Sequence, residues 1–135
     1  MKVEVSSERI KHKLREILDT VREIKEYLPD ELEDFLKLKI EKHGIYKLVE
    51  DIIEDVLGVC GIINSDLKLG PPSTEDDLIS HLEENKILNK ELSKKLKSMK
   101  GFRNLLVHKY GDVKDETAFN DIKEGLVDFE LFVEE

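Results

Sequence analysis

From Leu32 to Leu67, apolar residues recur at steps of three and four: Leu32, Leu36, Ile40, Tyr46, Val49, Ile53, Val56, Cys60, Ile63 and Leu67, with His43 taking one slot of the series. That period marks one long amphipathic helix. It continues across Gly44, which costs a helix about 1 kcal/mol relative to Ala and can bend it without breaking it. Ile52, Leu57, Val59 and Ile62 fall beside the main stripe. The predicted helix is therefore apolar on two sides, one for the core of its own chain and one for a second copy.

The flanking stretches read as further helices. Ser6 and Ser7 suit an N-cap, and Ile10, Leu14, Ile17, Leu18, Val21, Ile24 and Leu28 form one stripe that Pro29 ends. Asp30 to Glu33 reads as a capping box opening the long helix. Gly70-Pro71-Pro72 breaks the chain, and Ser73-Thr74-Glu75-Asp76 opens a short third helix with acids where the helix dipole favours them. Asn89 caps a fourth helix with Leu92, Leu96, Met99, Phe102 and Leu106 on its apolar side. Asp115 caps a fifth, carrying Ala118, Phe119, Ile122, Leu126, Phe129 and Val133. With neither linker nor repeat, residues 1–135 are expected to form a single all-α domain, an antiparallel bundle of about five helices.

Composition agrees with that class and narrows the functions. Aromatic residues make up 6% of the chain, and 7 Gly and 3 Pro leave little material for turns. The lone Cys60 excludes an intramolecular disulfide, and its place in an apolar series predicts a buried, inert thiol. No Cys/His pair has zinc-site spacing, so neither metal nor cofactor is expected. No apolar run reaches the roughly 18 residues of a membrane span, and the charged N-terminus lacks a signal peptide's apolar core, so a soluble cytoplasmic protein is expected. His12 and His81 read as surface histidines, and His43 as a core or interface histidine. The net charge of −9 argues against general adhesion to nucleic acid. Lys86 to Lys114, however, holds nine Lys or Arg and two acids, a local +7 against −16 for the rest, so an anionic partner is possible there.

That basic block contains Arg103, Asn104, His108 and Tyr110 within eight residues. On an ideal helix, at about 100° per residue, Arg103 points near the mean direction of Leu92, Leu96, Met99 and Leu106. A cation on an apolar face must find an anion: either a core carboxylate answers it or it lines a cleft that receives one. Asn104 and His108 are four apart and share a face. Arg103 and His108 diverge by roughly 140° on an ideal helix. They meet only if the arginine arches across, the helix ends early, or a second chain supplies the other half. Histidine exchanges protons near neutrality, and arginine offers a rigid fork matched to phosphate oxygens. Together they suit cleavage of an RNA phosphodiester without a metal. His108 would move a proton at the 2′-hydroxyl or the leaving oxygen, and Arg103 would stabilise the phosphorane charge. One histidine per chain supplies an acid or a base, so two facing chains are expected.

Arg103, four residues, His108, one residue, Tyr110 resembles the R-x-x-x-x-H-x-Y motif of the HEPN superfamily. The segments Leu69 to Ser73, Leu82 to Leu88 and Met99 to Asn104 resemble its HepT-like branch. The resemblance implies a homodimeric all-α bundle whose two motifs face a shared cleft. It implies the toxin of a type VII toxin–antitoxin pair, a metal-independent endoribonuclease with RNA as substrate. It also implies a partner, a minimal nucleotidyltransferase antitoxin that attaches AMP to the motif tyrosine. Carried onto this chain, Arg103 and His108 are catalytic, Asn104 is the polar residue beside the arginine, and Tyr110 is the AMP acceptor. A different class stays open: a non-catalytic partner of a nucleotidyltransferase that binds nucleotide or substrate, or a plain helical interaction module.

Overall fold

The structure, a computed structural model, describes residues 7–108 and 113–134, without the side chains of residues 7, 108, 130, 131, 133 and 134. Among the described residues the chain forms six helices: α1 (Ser7–Tyr27), α2 (Leu32–Leu36), α3 (Ile40–Asp66), α4 (Glu75–Glu84), α5 (Lys90–His108) and α6 (Asp115–Glu134). No strand occurs among them. The helices pack as a bundle around α3, with α1 along α3, α4 and α5 against α3, and α6 touching α1, α2 and α5.

The expected long second helix is two helices. Leu38 N–H donates to Phe35 C=O at 3.1 Å and Lys37 N–H to Asp34 C=O at 3.3 Å, a tightened last turn, after which Lys39 leaves helical geometry. Phe35 explains the break. Its ring is fully buried, with its centroid 6.1 Å from that of Tyr46 and 5.0 Å from that of Phe119. On one continuous helix Phe35 and Tyr46 would lie about 16 Å apart along the axis. The chain folds back at residues 37–39 so that both rings enter the same core. The cost is an exposed Ile40, at 83%, although the repeat placed it on the apolar stripe. His43 is likewise exposed rather than buried.

α3 runs unbroken through Gly44. Of its two apolar sides, Ile52, Ile53, Val56, Leu57 and Val59 are buried in the core, whereas Ile62 and Ile63 are half-buried, and α3 packs on α1, α4 and α5. Cys60 is wholly buried, and burial pushes its thiol up to about 12, as an inert core residue requires.

The helix ends are set locally. The Thr74 hydroxyl accepts from Asp77 N–H at 3.1 Å, and Asp77 reaches back to Ser73 N–H at 3.3 Å. Asn89 Oδ1 accepts from Leu92 N–H at 2.7 Å. The expected capping box at Asp30 does not form: Glu31 occupies the N-cap of α2 and makes no side-chain cap bond. The Asp30 carbonyl instead accepts from Lys123 Nζ at 2.6 Å. α3 and α4 both close with a lysine in the left-handed region, Lys68 at φ 54° and Lys86 at φ 60°. In each, the next residue's N–H returns to the helix, Leu69 to Asn64 C=O at 3.1 Å and Ile87 to Leu82 C=O at 2.9 Å.

Candidate functional site

α5 carries the candidate residues because its apolar side, Leu92, Leu96, Met99 and Leu106, is buried against the bundle. That packing fixes the direction of everything else on the helix. Arg103 points from α5 toward α3 and α4, and its side chain is 13% exposed. A guanidinium so placed needs counter-charge. Carboxylates from two other helices supply it: Nη2 donates to Glu75 Oε1 in the first turn of α4, and Nη1 lies 3.9 Å from Glu54 Oε1 on α3. Arg103 Nε donates to Asn104 Oδ1 at 3.0 Å. Asn104 thus orients the arginine directly, a contact that the four-residue spacing to His108 did not anticipate.

His108 is the last described residue of α5, five positions beyond Arg103. Its imidazole, and Tyr110 altogether, lie outside the described residues, so the convergence of Arg103, His108 and Tyr110 rests on the sequence.

The basic block is less open than its composition suggested. Lys100 Nζ lies 3.1 Å from Asp76 Oδ1, Lys95 Nζ 3.1 Å from the buried Asp128 and 3.7 Å from Glu91, and Lys97 Nζ donates to Ser80 Oγ at 2.9 Å. Acids read in the sequence only as complements to the α4 dipole are also the partners of Arg103 and Lys100. The sequence signal was the odd arginine itself. It demanded an acid, but spacing along one helix could not name an acid on another. The groove of about 680 Å³ between α5 and α6, lined by Met99, Phe102 and Val127, includes neither Arg103 nor Asn104.

Two further polar clusters were missed. Asp115, expected as a cap, is the first residue of α6, and its carboxylate accepts from Tyr46 Oη at 2.6 Å and from Lys42 Nζ at 2.7 Å. Burial opposes its ionisation. The bonds from Lys42 and Tyr46, with the positive field of Lys42 and His43, outweigh burial and hold the carboxyl below its ordinary value. This clasp ties the chain to α3 three residues after Asp112. His81, expected at the surface, is half-buried, with Nδ1 3.1 Å from Oδ1 of the buried Asn64. Asn64 Nδ2 in turn donates to Gly70 C=O at 2.9 Å, which orients its oxygen toward His81 and makes Nδ1 the donor. No cluster of His, Cys, Asp and Glu among the described residues is arranged to hold a metal ion, and no described helix is long and apolar enough to cross a membrane.

The ribonuclease HepT-like family model matches residues 17–135, which include every candidate residue. This chain belongs to the HepT-like ribonuclease family. Among HepT-like relatives it is 31% identical to the mRNA nuclease HepT of Shewanella oneidensis over 81 residues, 60% of this chain and 61% of that one. It is 29% identical to the tRNA nuclease HepT of Aphanizomenon flos-aquae over 102 residues, 76% and 69% of the two chains. The match thus spans about three fifths of the first relative's length. Among solved HepT-like structures, the tri-AMPylated Shewanella oneidensis HEPN toxin in complex with MNT antitoxin shares the fold at a TM-score of 0.86 and 25% identity, over 93% of each chain.

Proposed function

We propose that this chain, acting as one domain over residues 1–135, is the toxin of a HepT/MntA-type toxin–antitoxin pair and cleaves RNA endonucleolytically in the cytoplasm. The observation that carries this reading is Arg103: a guanidinium held by Asn104 inside the bundle, on the helix that also carries His108, in a HepT-like chain. The similar Shewanella oneidensis and Aphanizomenon flos-aquae nucleases support the activity, and the tri-AMPylated toxin in complex with its antitoxin supports the partner.

In the proposed reaction the 2′-hydroxyl oxygen attacks the adjacent phosphorus in line. The P–O bond to the 5′ leaving oxygen breaks, leaving a 2′,3′-cyclic phosphate and a 5′-hydroxyl. His108 of one chain takes the 2′-hydroxyl proton, and a second copy's imidazole returns one to the leaving oxygen. Arg103 offsets the charge that builds on the phosphorane. No metal is required, because proton transfer and charge stabilisation both come from side chains. Tyr110, two residues past His108, is the AMP acceptor for a minimal nucleotidyltransferase antitoxin. A phosphodiester and a purine attached there would occupy Arg103 and exclude RNA.

The purified protein is expected to cut RNA in the presence of EDTA, and His108→Ala to abolish cutting with its helical content intact. Undiminished cleavage by that variant removes His108 from the mechanism. One observation favours a second reading, a non-catalytic partner of a nucleotidyltransferase that binds nucleotide or substrate: Arg103 already holds carboxylates. In that case RNA stays intact, while incubation with the transferase and ATP still adds AMP to the chain.

A further inference from the structure

We propose that Glu75, seconded by Glu54, is a carboxylate gate that competes with the RNA phosphate for Arg103. The inference rests on the ribonuclease reading of the site and assigns its affinity control to residues on two other helices.

The argument begins with the shape of the fork. Guanidinium presents two edges able to give a phosphate two parallel N–H bonds, one made by Nε and Nη2, the other by Nη1 and Nη2. Nη2 carries one N–H toward each edge, and Glu75 holds this nitrogen through one oxygen. Nε is bonded to Asn104, and Nη1 lies near Glu54. Asn104 thus occupies the first edge through Nε, and Glu75 and Glu54 crowd the nitrogens of the second, so a phosphate seeking two parallel bonds competes with a protein oxygen at each edge.

Charge points the same way. Among the described residues of this cluster, Arg103 and Lys100 face Glu54, Glu75 and Asp76, two cations against three carboxylates. The cluster is net negative before any substrate arrives, and a phosphodiester must enter against that field. Exposure decides which partner yields. The arginine side chain is 13% exposed, whereas Glu75 is 41% and Glu54 49% exposed. Either glutamate can turn into water at small desolvation cost; the guanidinium cannot. Glu75 also has somewhere to go, because it opens α4, where the helix dipole stabilises an anion. The resting chain thus keeps its phosphate-binding arginine internally satisfied, and RNA binds by exchange.

The test compares Glu75→Gln and Glu54→Gln with the parent, and with Glu8→Gln, which removes the same charge from the exposed start of α1. Binding of a fluorescein-labelled oligouridylate is read by anisotropy on the His108→Ala background, where no cleavage interferes. Glu75→Gln is expected to tighten Kd by about fivefold, Glu54→Gln by about twofold, and Glu8→Gln to leave Kd unchanged. In cleavage assays on otherwise wild-type protein, the Glu75→Gln gain is expected as a lower KM. An unchanged or weaker Kd for Glu75→Gln overturns the gate, as does a fall in kcat at constant KM, which marks Glu75 as positioning Arg103 instead. If wild-type protein leaves the RNA intact, the ribonuclease reading fails, yet the anisotropy still decides the gate. If circular dichroism shows Glu75→Gln to be unfolded, Glu54→Gln decides, and an unchanged Kd there overturns the proposal.

Discussion

The Tyr46 hydroxyl donates to Asp115 Oδ1 at 2.6 Å, joining α3 to the first residue of α6 across 69 positions of sequence. Lys42 reaches the other carboxylate oxygen at 2.7 Å. The chain that leaves the Arg103–Tyr110 segment is thereby fastened to the central helix. Tyr46→Phe removes one charge-assisted bond at a partly buried site and is expected to cost about 1–3 kcal/mol in urea unfolding at neutral pH. The pH dependence follows from the direction of the Asp115 shift. Its carboxyl is held below the ordinary value of 3.8. The clasp's contribution is therefore full above about pH 4, and it is lost as pH falls through the depressed folded value. The stability gap between wild type and Tyr46→Phe should narrow over that acid range, as urea titrations at several pH values would register.

Arg103→Lys keeps the positive charge near Glu75 and discards the fork. RNA cleavage is expected to fall by about 100-fold, because one ammonium cannot both hold Asn104 and span two phosphate oxygens. Initial rates at saturating RNA measure this. Loss of less than a few-fold would mean that a point charge suffices there.

Phe35→Ala empties the space between Tyr46 and Phe119 and removes the reason for the fold-back at residues 37–39. A cost of about 3–5 kcal/mol is expected in chemical unfolding. The same substitution at a merely capping position would cost far less.

Lys86→Gly should stabilise the chain by about 0.5–1 kcal/mol, since Lys86 holds φ 60° at the end of α4, where a side chain is strained and glycine is not. A higher thermal midpoint is the readout. Lys68→Gly, at φ 54°, should act in the same direction.

What the sequence made legible was what neighbouring residues decide among themselves. Thr74 and Asn89 cap helices as read, Gly70 and the prolines break the chain where expected, and the α5 apolar side is Leu92, Leu96, Met99 and Leu106. What it concealed was settled between distant segments. The split at residues 37–39 depends on an aromatic cluster assembled from α2, α3 and α6, while the periodicity of Ile40 and His43 is indifferent to it. Asp115 reads as a cap by type and position, yet Lys42 and Tyr46 claim its carboxylate. The site divides in the same way. Arg103 and Asn104 were recognised from their helix and their motif, whereas Glu75, 28 residues away, had no local mark to tie it to the arginine.

The pairing of Lys95, Lys100 and Arg103 with Asp128, Asp76 and Glu75 also bears on how this chain would respond to ionic strength. A polyanion ordinarily gains affinity by shedding its condensed small cations when lysines and arginines replace them. Cations that already own carboxylates offer little of that entropy. Any RNA seated here would displace protein groups more than sodium or potassium, and its retention should vary only weakly between dilute buffer and concentrated salt.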